Sequence, residues 1–415
     1  MLNVILGITG GISAYKATGI IRGLTELGHQ VRVIPTQNAL RFIGATTLEA
    51  LSHNSVDPNL YTDVDSVKHV ALGQQADLIV VAPASAAFLA RFAGGIADDL
   101  LLNTLLASRA PVLVVPAMHT EMWQNQATQA NVATLRARGV TVLDPDSGRL
   151  TGADSGPGRM PEPEAIVSVA LSLAQLGNAV SQLTETDRLP ILGGKHVLVS
   201  VGGTREAIDP VRFIGNYSSG KQGLAVAYAA KAAGARVTLI AANLEQEISG
   251  LDEVIKVVTA KQLASVVDNL LPATDVLVMT AAVADFRVES PQTHKIKRSE
   301  IGNELELKLV ANPDILAEAV EFIQAQKLRC LTVGFAAETA GSLERLASLA
   351  TMKLASKNCD LIIANDVSEG AVFGAYHNTI YLLDQAGESA HATGTKQSVA
   401  AAIIGFIAKH LAVAK

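Results

Sequence analysis

Gly202-Gly-Thr-Arg-Glu-Ala-Ile-Asp-Pro-Val-Arg-Phe-Ile-Gly-Asn-Tyr-Ser-Ser-Gly-Lys-Gln-Gly223 lies between an apolar run, His196–Val201, and a helix-forming one, Lys221–Ala233. Strand, glycine-rich turn and helix in that order open a parallel α/β sheet. Glycines let backbone approach a bound group, and the free N–H groups and dipole of a helix N-terminus favour an anion there. Arg205, Arg212, Asn216 and Lys221 lie in the same stretch, with hydroxyls at Thr204, Ser218 and Ser219. It reads as a grip for phosphates and a carboxylate. Gly215 to Lys221 satisfies the G-x4-G-K spacing of a P-loop, but Gln222 stands where Ser or Thr would ligate Mg2+. No apolar run ending in Asp follows as an obvious partner, so a P-loop nucleotidase is rejected. An anion-binding loop entering a helix at Lys221 remains.

Strand–helix alternation extends both ways from this stretch. Downstream, strands are expected at Arg236–Ala241, Asp275–Thr280, Leu331–Gly334, Leu361–Ala364 and Thr379–Leu383. Helices are expected at Gln262–Leu270, Asp314–Gln324, Ser342–Ser356 and Gln397–Ala412, and Glu304–Leu309 alternates like an antiparallel strand. Upstream, strands are expected at Val4–Ile8, Val31–Pro35, Leu78–Ala82, Val112–Pro116 and Val140–Leu143. The helices between them are Ser13–Leu27, Arg41–Leu51, Asp98–Ser108, Thr128–Arg138 and Pro161–Leu176. Right-handed βαβ units follow from this rhythm. The fold class is α/β, with two doubly wound, mostly parallel sheets. Residues 177–194 are polar and end in Pro190 and Gly193-Gly194, so the domains are set at 1–176 and 195–415 with 177–194 as linker.

A chain of 415 residues suits two domains, and its 49% hydrophobic and 17% charged content lets each bury a core. Aromatics make up only 4%, so Ala, Val, Leu and Ile fill the cores, as in buried parallel sheets. The net charge of −6 argues against generic binding of nucleic acid or anionic membranes. Cys330 and Cys359 form no C-x-x-C and read as core thiols in a reducing cytoplasm. Met1–Gly11 reads as a first strand rather than a signal peptide, and Arg91 ends the apolar run Leu78–Ala90 short of a membrane span.

Gly7-Ile-Thr-Gly10-Gly11-Ile-Ser13 joins the first strand to the first helix. It is not G-x-G-x-x-G, and the second strand ends Ile34-Pro35-Thr36 without an acid for an adenosine ribose. That counts against NAD and fits a mononucleotide such as FMN; alone, an ordinary tight turn fits equally well. Further stretches break the tie: His69-Val-Ala-Leu72, Val81-Ala-Pro-Ala84-Ser85-Ala86, Gly94-Gly-Ile-Ala-Asp98-Asp99, and Pro116-Ala-Met-His119-Thr-Glu-Met-Trp123. In this order they resemble the homo-oligomeric flavin-containing cysteine decarboxylases, across about residues 1–176. The resemblance implies a flavodoxin-like fold with FMN held at Gly10, Gly11, Ser13, Thr36, Ala84 and Ser85. It implies oxidation of the thiol-bearing carbon, loss of CO2 and return of the hydride, with His69 as catalytic base. The chain departs from that pattern twice. His119 stands where the family has a carboxylate-gripping Asn, and Gly152 where it has a proton-donating Cys. A protonated His119 can hold a carboxylate, and Thr151, Asp154 or Ser155 can relay a proton.

Thr280-Ala-Ala-Val-Ala-Asp285, Lys295-Ile-Lys-Arg298, Asn312-Pro313-Asp314-Ile315-Leu316, Gly334-Phe335, Met352-Lys353-Leu-Ala-Ser-Lys357 and Ala364-Asn-Asp366 follow in order. The series resembles phosphopantothenate–cysteine ligase over about residues 195–410. A Rossmann-like ligase domain is implied, in which CTP and Mg2+ activate the carboxylate of 4′-phosphopantothenate as an acyl-cytidylate that cysteine's amine then attacks. Charge builds on phosphoryl oxygens, so cations serve such a site better than covalent groups. By resemblance Lys295 meets the reacting phosphate, while Lys353 and Lys357, one helical turn apart, meet the triphosphate. Asp285, Pro313, Asp314, Ile315, Leu316 and Phe335 contact the cytidine nucleotide, and Asn216 turns over the acyl-cytidylate. Arg212 and Lys221 are inferred anion contacts; no residues are assigned to Mg2+.

A decarboxylase half before a ligase half resembles the layout of bifunctional enzymes of coenzyme A biosynthesis. The ligase would make 4′-phosphopantothenoylcysteine and the decarboxylase would convert it to 4′-phosphopantetheine. The resemblance also implies trimers of the first domain with the flavin site at a subunit interface, dimers of the second, and a dodecamer overall. An alternative keeps the ligase active and makes the first half a lapsed flavin-binding regulatory or assembly module, because the Asn and Cys positions differ. A nicotinamide oxidoreductase is disfavoured by Thr36 and Asn243, where each second strand would need an acid.

Overall fold

The computed structural model describes residues 1–415 except 61–66, 151, 153, 181–190, 247, 303, 368–376 and 414–415. Two units emerge: Met1–Ile191 with Ala232–Gly234 and Ile248–Gly250, and Leu192–Lys231 with Ala235–Glu247 and Leu251–Lys415. In the first, β1 (Asn3–Ile8), β2 (Gln30–Pro35), β3 (Leu78–Ala84), β4 (Val112–Pro116) and β5 (Thr141–Val142) form a parallel sheet in the order β2-β1-β3-β4-β5. This is the flavodoxin order, whose switch point lies between β1 and β3. β3 is buried at every position, which is why its sequence is a continuous apolar run instead of an alternation. Ile5, Ile79, Val81 and Val114 of the sheet pack with Leu101 and Trp123 in one core.

The helices of this unit are α1 (Ala17–Glu26), α2 (Ala45–Ser52), α3 (Lys68–Gln75), α4 (Ala86–Gly94), α5 (Leu100–Ala107), α6 (Thr120–Gln124), α7 (Gln126–Ala137) and α8 (Pro163–Val180). A hairpin, β6 (Asp146–Arg149) with β7 (Ser155–Arg159), lies between β5 and α8. Several boundaries differ from expectation for local reasons. Ser85 ends the apolar run at Ala84 and caps α4, its hydroxyl accepting the Phe88 N–H at 3.3 Å. Asp99 does the same for α5 through the Leu102 N–H at 2.8 Å. The first helix opens with a 3-10 turn, Ile12–Lys16. Arg41 belongs to another such turn, so α2 starts only at Ala45. α8 continues past Leu176 through Val180, into the stretch read as linker, of which 181–190 lie outside the described residues.

In the second unit β8 (His196–Gly202), β11 (Arg236–Ala242), β12 (Glu253–Val257), β13 (Val276–Met279), β16 (Leu331–Glu338) and β17 (Leu361–Asp366) run parallel, and β18 (His377–Asp384) and β19 (Ser389–Thr395) add antiparallel at one edge. Short pairs β9 (Glu206–Ala207) with β10 (Phe213–Ile214), and β14 (Phe286–Val288) with β15 (Leu309–Ala311), stand apart from this sheet. The helices are α9 (Lys221–Ala232), α10 (Ala260–Leu270), α11 (Arg298–Ile301), α12 (Ile315–Gln326), α13 (Leu343–Lys357) and α14 (Lys396–Val413). Counted within this half, the parallel strands stand in the order 3-2-1-4-5-6. That is the Rossmann order, with its switch point between β8 and β13. Leu198, Leu277, Leu316 and Ile362 anchor the core on one face of this sheet. β12 and β19 were not anticipated, and of the strand expected at Glu304–Leu309 only Leu309 falls in β15, where it pairs with Val288. Its register is set by the tertiary partner and not by its own alternation.

Candidate active sites

The first cleft opens at the C-terminal ends of β1 and β3, beside the switch point. Its volume is about 520 Å³, and Gly10, Gly11, Ser13, Ser85 and His119 are among its lining residues. A Cβ at Gly11 would meet nothing within 4 Å, so the backbone there faces open space that a ligand can approach closely. Apolar Ile12, Met118, Met122 and Met160 share the lining with Arg149 and Arg159. An apolar slot with a few polar groups suits a flat aromatic ring system carrying a phosphate, and the volume is that of an ordinary cofactor site. Two expected contacts fall elsewhere. Ala84 is fully buried and passes its carbonyl to the Ala117 N–H. Thr36 turns its hydroxyl to the Ala39 N–H at 3.2 Å, and Asn38 instead stands against Gly10. His69 sits in the first turn of α3, which packs on α5, and does not line this cleft.

Two residues on the cleft's outer side form a pair. His119 Nδ1 lies 3.1 Å from Asp154 Oδ2. The Asp154 carboxyl is held below the ordinary carboxylate range by its own backbone N–H first, with further help from His119 and the Gly152 N–H. An ionised carboxylate only accepts, so Nδ1 carries the donated proton and Nε2 is left for the cleft. Gly152 is bound into the same arrangement: its N–H donates to Asp154 Oδ1 at 3.2 Å, and a Cβ added there would come within 2.9 Å of that oxygen. As an acceptor at neutral pH, Asp154 is not the proton donor that the sequence left open. Ser155 lies in β7, and Thr151 is outside the described residues.

The second unit carries a cleft of about 360 Å³ lined by Asp285, Pro313, Asp314, Ile315, Leu316, Phe335, Lys353 and Lys357. Four separate segments supply these residues, and the sheet brings them together. Asn312 receives the hairpin: its N–H donates to Asp285 O at 2.8 Å and its Nδ2 to Ala284 O at 2.7 Å. Asp314 caps α12 through the Ala317 N–H and also pairs with Lys357. Lys353 lies 3.7 Å from Glu338, on the same helix face as Lys357. Asn216 stands at the switch point, donating from Nδ2 to Ala282 O at 2.7 Å and accepting the Ser218 N–H at 3.0 Å. Lys295 is exposed and does not line the cleft. Its segment is tied to the opening stretch, since the Ile296 N–H donates to Asp209 at 3.1 Å and Arg212 Nη1 to Ile296 O at 3.2 Å. Arg212 also pairs with Asp209, so within this chain it tethers the segment that carries Lys295. Lys221 lines a neighbouring pocket that shares Ala281, Ala282 and Phe335 with the larger cleft.

The family model described as "Flavoprotein" matches residues 1–175, and that described as "DNA/pantothenate metabolism flavoprotein C-terminal domain" matches 192–411. Over 415 residues the chain is 51% identical to the coenzyme A biosynthesis bifunctional protein CoaBC of Mycobacterium tuberculosis, covering 99% of this chain and 97% of that one. The chain belongs to the CoaBC family. The Bacillus subtilis member is 41% identical over 389 residues, covering 92% of this chain and 91% of its own. A solved C-terminal domain of a coenzyme A biosynthesis bifunctional protein is 32% identical, covers 54% of this chain and 98% of its own, and superposes with a TM-score of 0.43.

As a CoaBC-family member the chain is a bifunctional enzyme of coenzyme A biosynthesis, with a carboxy-lyase activity and a phosphopantothenate–cysteine ligase activity. Sequence reasoning missed Lys396, which lines the pocket beside Lys221 although 174 residues separate it from Gln222, the side chain that donates to its carbonyl. Nothing local to a lone lysine at a helix start marks it. The His119–Asp154 contact was equally hidden, because 35 residues separate its partners.

Proposed function

We propose that the first cleft binds FMN and decarboxylates 4′-phosphopantothenoylcysteine, and that the second activates 4′-phosphopantothenate with CTP for attack by cysteine. The observation supporting the first reading is the cleft at the β1/β3 switch point of a flavodoxin-ordered sheet. Bound flavin supplies hydride acceptance and return at the carbon beside sulfur, which lets CO2 leave. The chain's own residues do the rest. Gly10, Gly11 and Ser13 take the phosphate at the turn into the first helix, and Ser85 faces the same cleft. His119, oriented by Asp154, holds the substrate carboxylate when charged and carries the proton for protonation after CO2 loss. Ile12 and Tyr15 are more than 60% exposed at the cleft, and His69 lies outside it. Both facts support a homo-oligomer in which another copy covers the ring system and brings its His69 to the substrate.

In the ligase site, Lys353 and Lys357 exchange Glu338 and Asp314 for nucleotide phosphates, while Asp285 and Pro313–Leu316 hold the cytidine. Lys295 reaches the reacting phosphate from its exposed segment, and Asn216 holds the acyl group at Ala282. Lys221 faces the acid substrate. Mg2+ accompanies the CTP phosphates. Among the described residues one metal-type cluster occurs, Asp384, Glu388 and His410, and it lines neither cleft. Both steps run in the cytoplasm, where Cys330 and Cys359 stay reduced; burial pushes Cys330 up to about 12 and Cys359 to about 11, which keeps them unreactive. Among the described residues no helix is long and apolar enough to cross a membrane.

One assay tests both halves. Purified protein with CTP, Mg2+, cysteine and 4′-phosphopantothenate is expected to yield CO2 and 4′-phosphopantetheine. With 4′-phosphopantothenoylcysteine alone, CO2 release is expected without CTP. A yellow protein that ligates but releases no CO2 would instead make the first half a binding module. His119→Ala is expected to cut CO2 release by about 100-fold or more and to leave ligation intact.

A further inference from the structure

Two walls of the second cleft are the stretch 281–285, which follows β13, and the stretch 312–316, which leads into α12. Between them in sequence lies the short pair β14–β15, which stands outside the eight-stranded sheet. Two strands of this length hold little by themselves, so the spacing of the walls depends on side chains. Asn312 spans the gap. Its N–H donates to Asp285 O at 2.8 Å and its Nδ2 to Ala284 O at 2.7 Å.

Arg287 decides how Asn312 is held. Arg287 Nη1 donates to Asn312 Oδ1 at 3.3 Å and also to Ala311 O. A guanidinium only donates and a carbonyl only accepts, so Oδ1 must face Arg287 and Nδ2 must face Ala284. An amide placed between the two has one orientation, where an amide among waters has two. Arg287 is half-buried, lies opposite Val310 in the strand pair, and does not line the cleft. Among the described residues its guanidinium bonds only to these two oxygens, so its donors are committed to this junction. Pro313 keeps the residue before it in extended backbone. Asp314 follows and caps α12 through the Ala317 N–H at 3.3 Å. A shift of Asn312 therefore passes directly to the helix start in the cleft.

We propose that Arg287 is a positioning residue for the nucleotide: acting through Asn312, it sets the distance between the two walls. This rests on the nucleotide reading above and adds to it a residue that touches no substrate. In full-length enzyme, Arg287→Met keeps the stem and removes the donors. KM for CTP is expected to rise about 10-fold or more, as loss of a charge-assisted hydrogen bond does. The values of kcat and of KM for 4′-phosphopantothenate and cysteine stay within about twofold. Arg287→Lys keeps the charge and one donor group, and its KM for CTP is expected to fall between the two. Asn312→Ala is expected to raise KM for CTP as well, and adding Arg287→Met to it to change KM by less than about twofold. Full additivity in the double variant, or equal losses for all three substrates, would overturn the role.

Hydrogen exchange in nucleotide-free enzyme separates this role from the nucleotide reading. Exchange across 309–316 is expected to quicken about 10-fold in Arg287→Met, while β8 and β13 keep their parental protection. That result in a protein that binds no CTP upholds the positioning role and rejects the nucleotide reading. Parental exchange across 309–316 in the variant rejects the positioning role whatever CTP does.

Discussion

At the scale of single residues, two substitutions in the decarboxylase half turn out to be coupled. Gly152 leaves room for Asp154, and Asp154 orients His119. On the proposed reading, a histidine held by a carboxylate would combine grip on the substrate carboxylate with proton supply. Asp154→Asn keeps the shape and removes the charge. It is expected to lower decarboxylation kcat by about 10-fold to 100-fold and leave ligation unchanged, as measured by CO2 release. Gly202 shows the opposite constraint in the ligase half. It sits at φ 94°, and a Cβ would lie 2.1 Å from the Ala242 carbonyl oxygen. Gly202→Ala is expected to cost about 1–3 kcal/mol, read as a lower midpoint in denaturant, because both the backbone conformation and the space exclude a methyl group.

At the scale of elements, each site depends on short segments laid over a rigid sheet. The Gln292–Ile296 segment is held to the Ile208–Arg212 turn by three hydrogen bonds, from Gln292 N, Ile296 N and Arg212 Nη1. Arg212→Ala frees the segment carrying Lys295 without touching the nucleotide cleft. Ligation kcat is expected to fall about 10-fold with KM for CTP little changed; a rise in KM alone would give Arg212 a direct binding role. The antiparallel edge has its own lock. Asp384 of β18 lies 2.8 Å from His410 Nε2 of α14. Burial works to raise the Asp384 carboxyl, but His410 and the Glu388 and Ala386 N–H groups outweigh it and hold the carboxyl below its ordinary 3.8. A carboxyl depressed in the folded state stabilises fully above its unfolded value, and that contribution is lost as pH falls through the folded one. Asp384→Asn is therefore expected to lower stability at pH 7 and to flatten its decline below pH 4, followed by thermal melting across pH.

At the scale of the whole molecule, two sheets of different strand order each place a glycine turn beside a switch point. β1 and β3 flank one switch point, and β8 and β13 the other. Chain chemistry alone determined much of this. Apolar runs without alternation demanded buried parallel strands, the glycine turns marked candidate ligand loops, and Gln222 spoke against a P-loop nucleotidase. These readings depend on neighbours in sequence, where spacing and residue type carry the physics. Tertiary structure decided the rest. It withdrew His69, Ala84 and Thr36 from the first cleft, turned Arg212 into a tether, and joined His119 to Asp154. It also moved the strand at Glu304–Leu309 to Leu309–Ala311, by pairing it with Phe286–Val288. Above all, it brought Lys396 to Lys221 across most of the second half. A charge's partner depends on which distant segments the sheet places side by side, and a linear pattern holds no record of that.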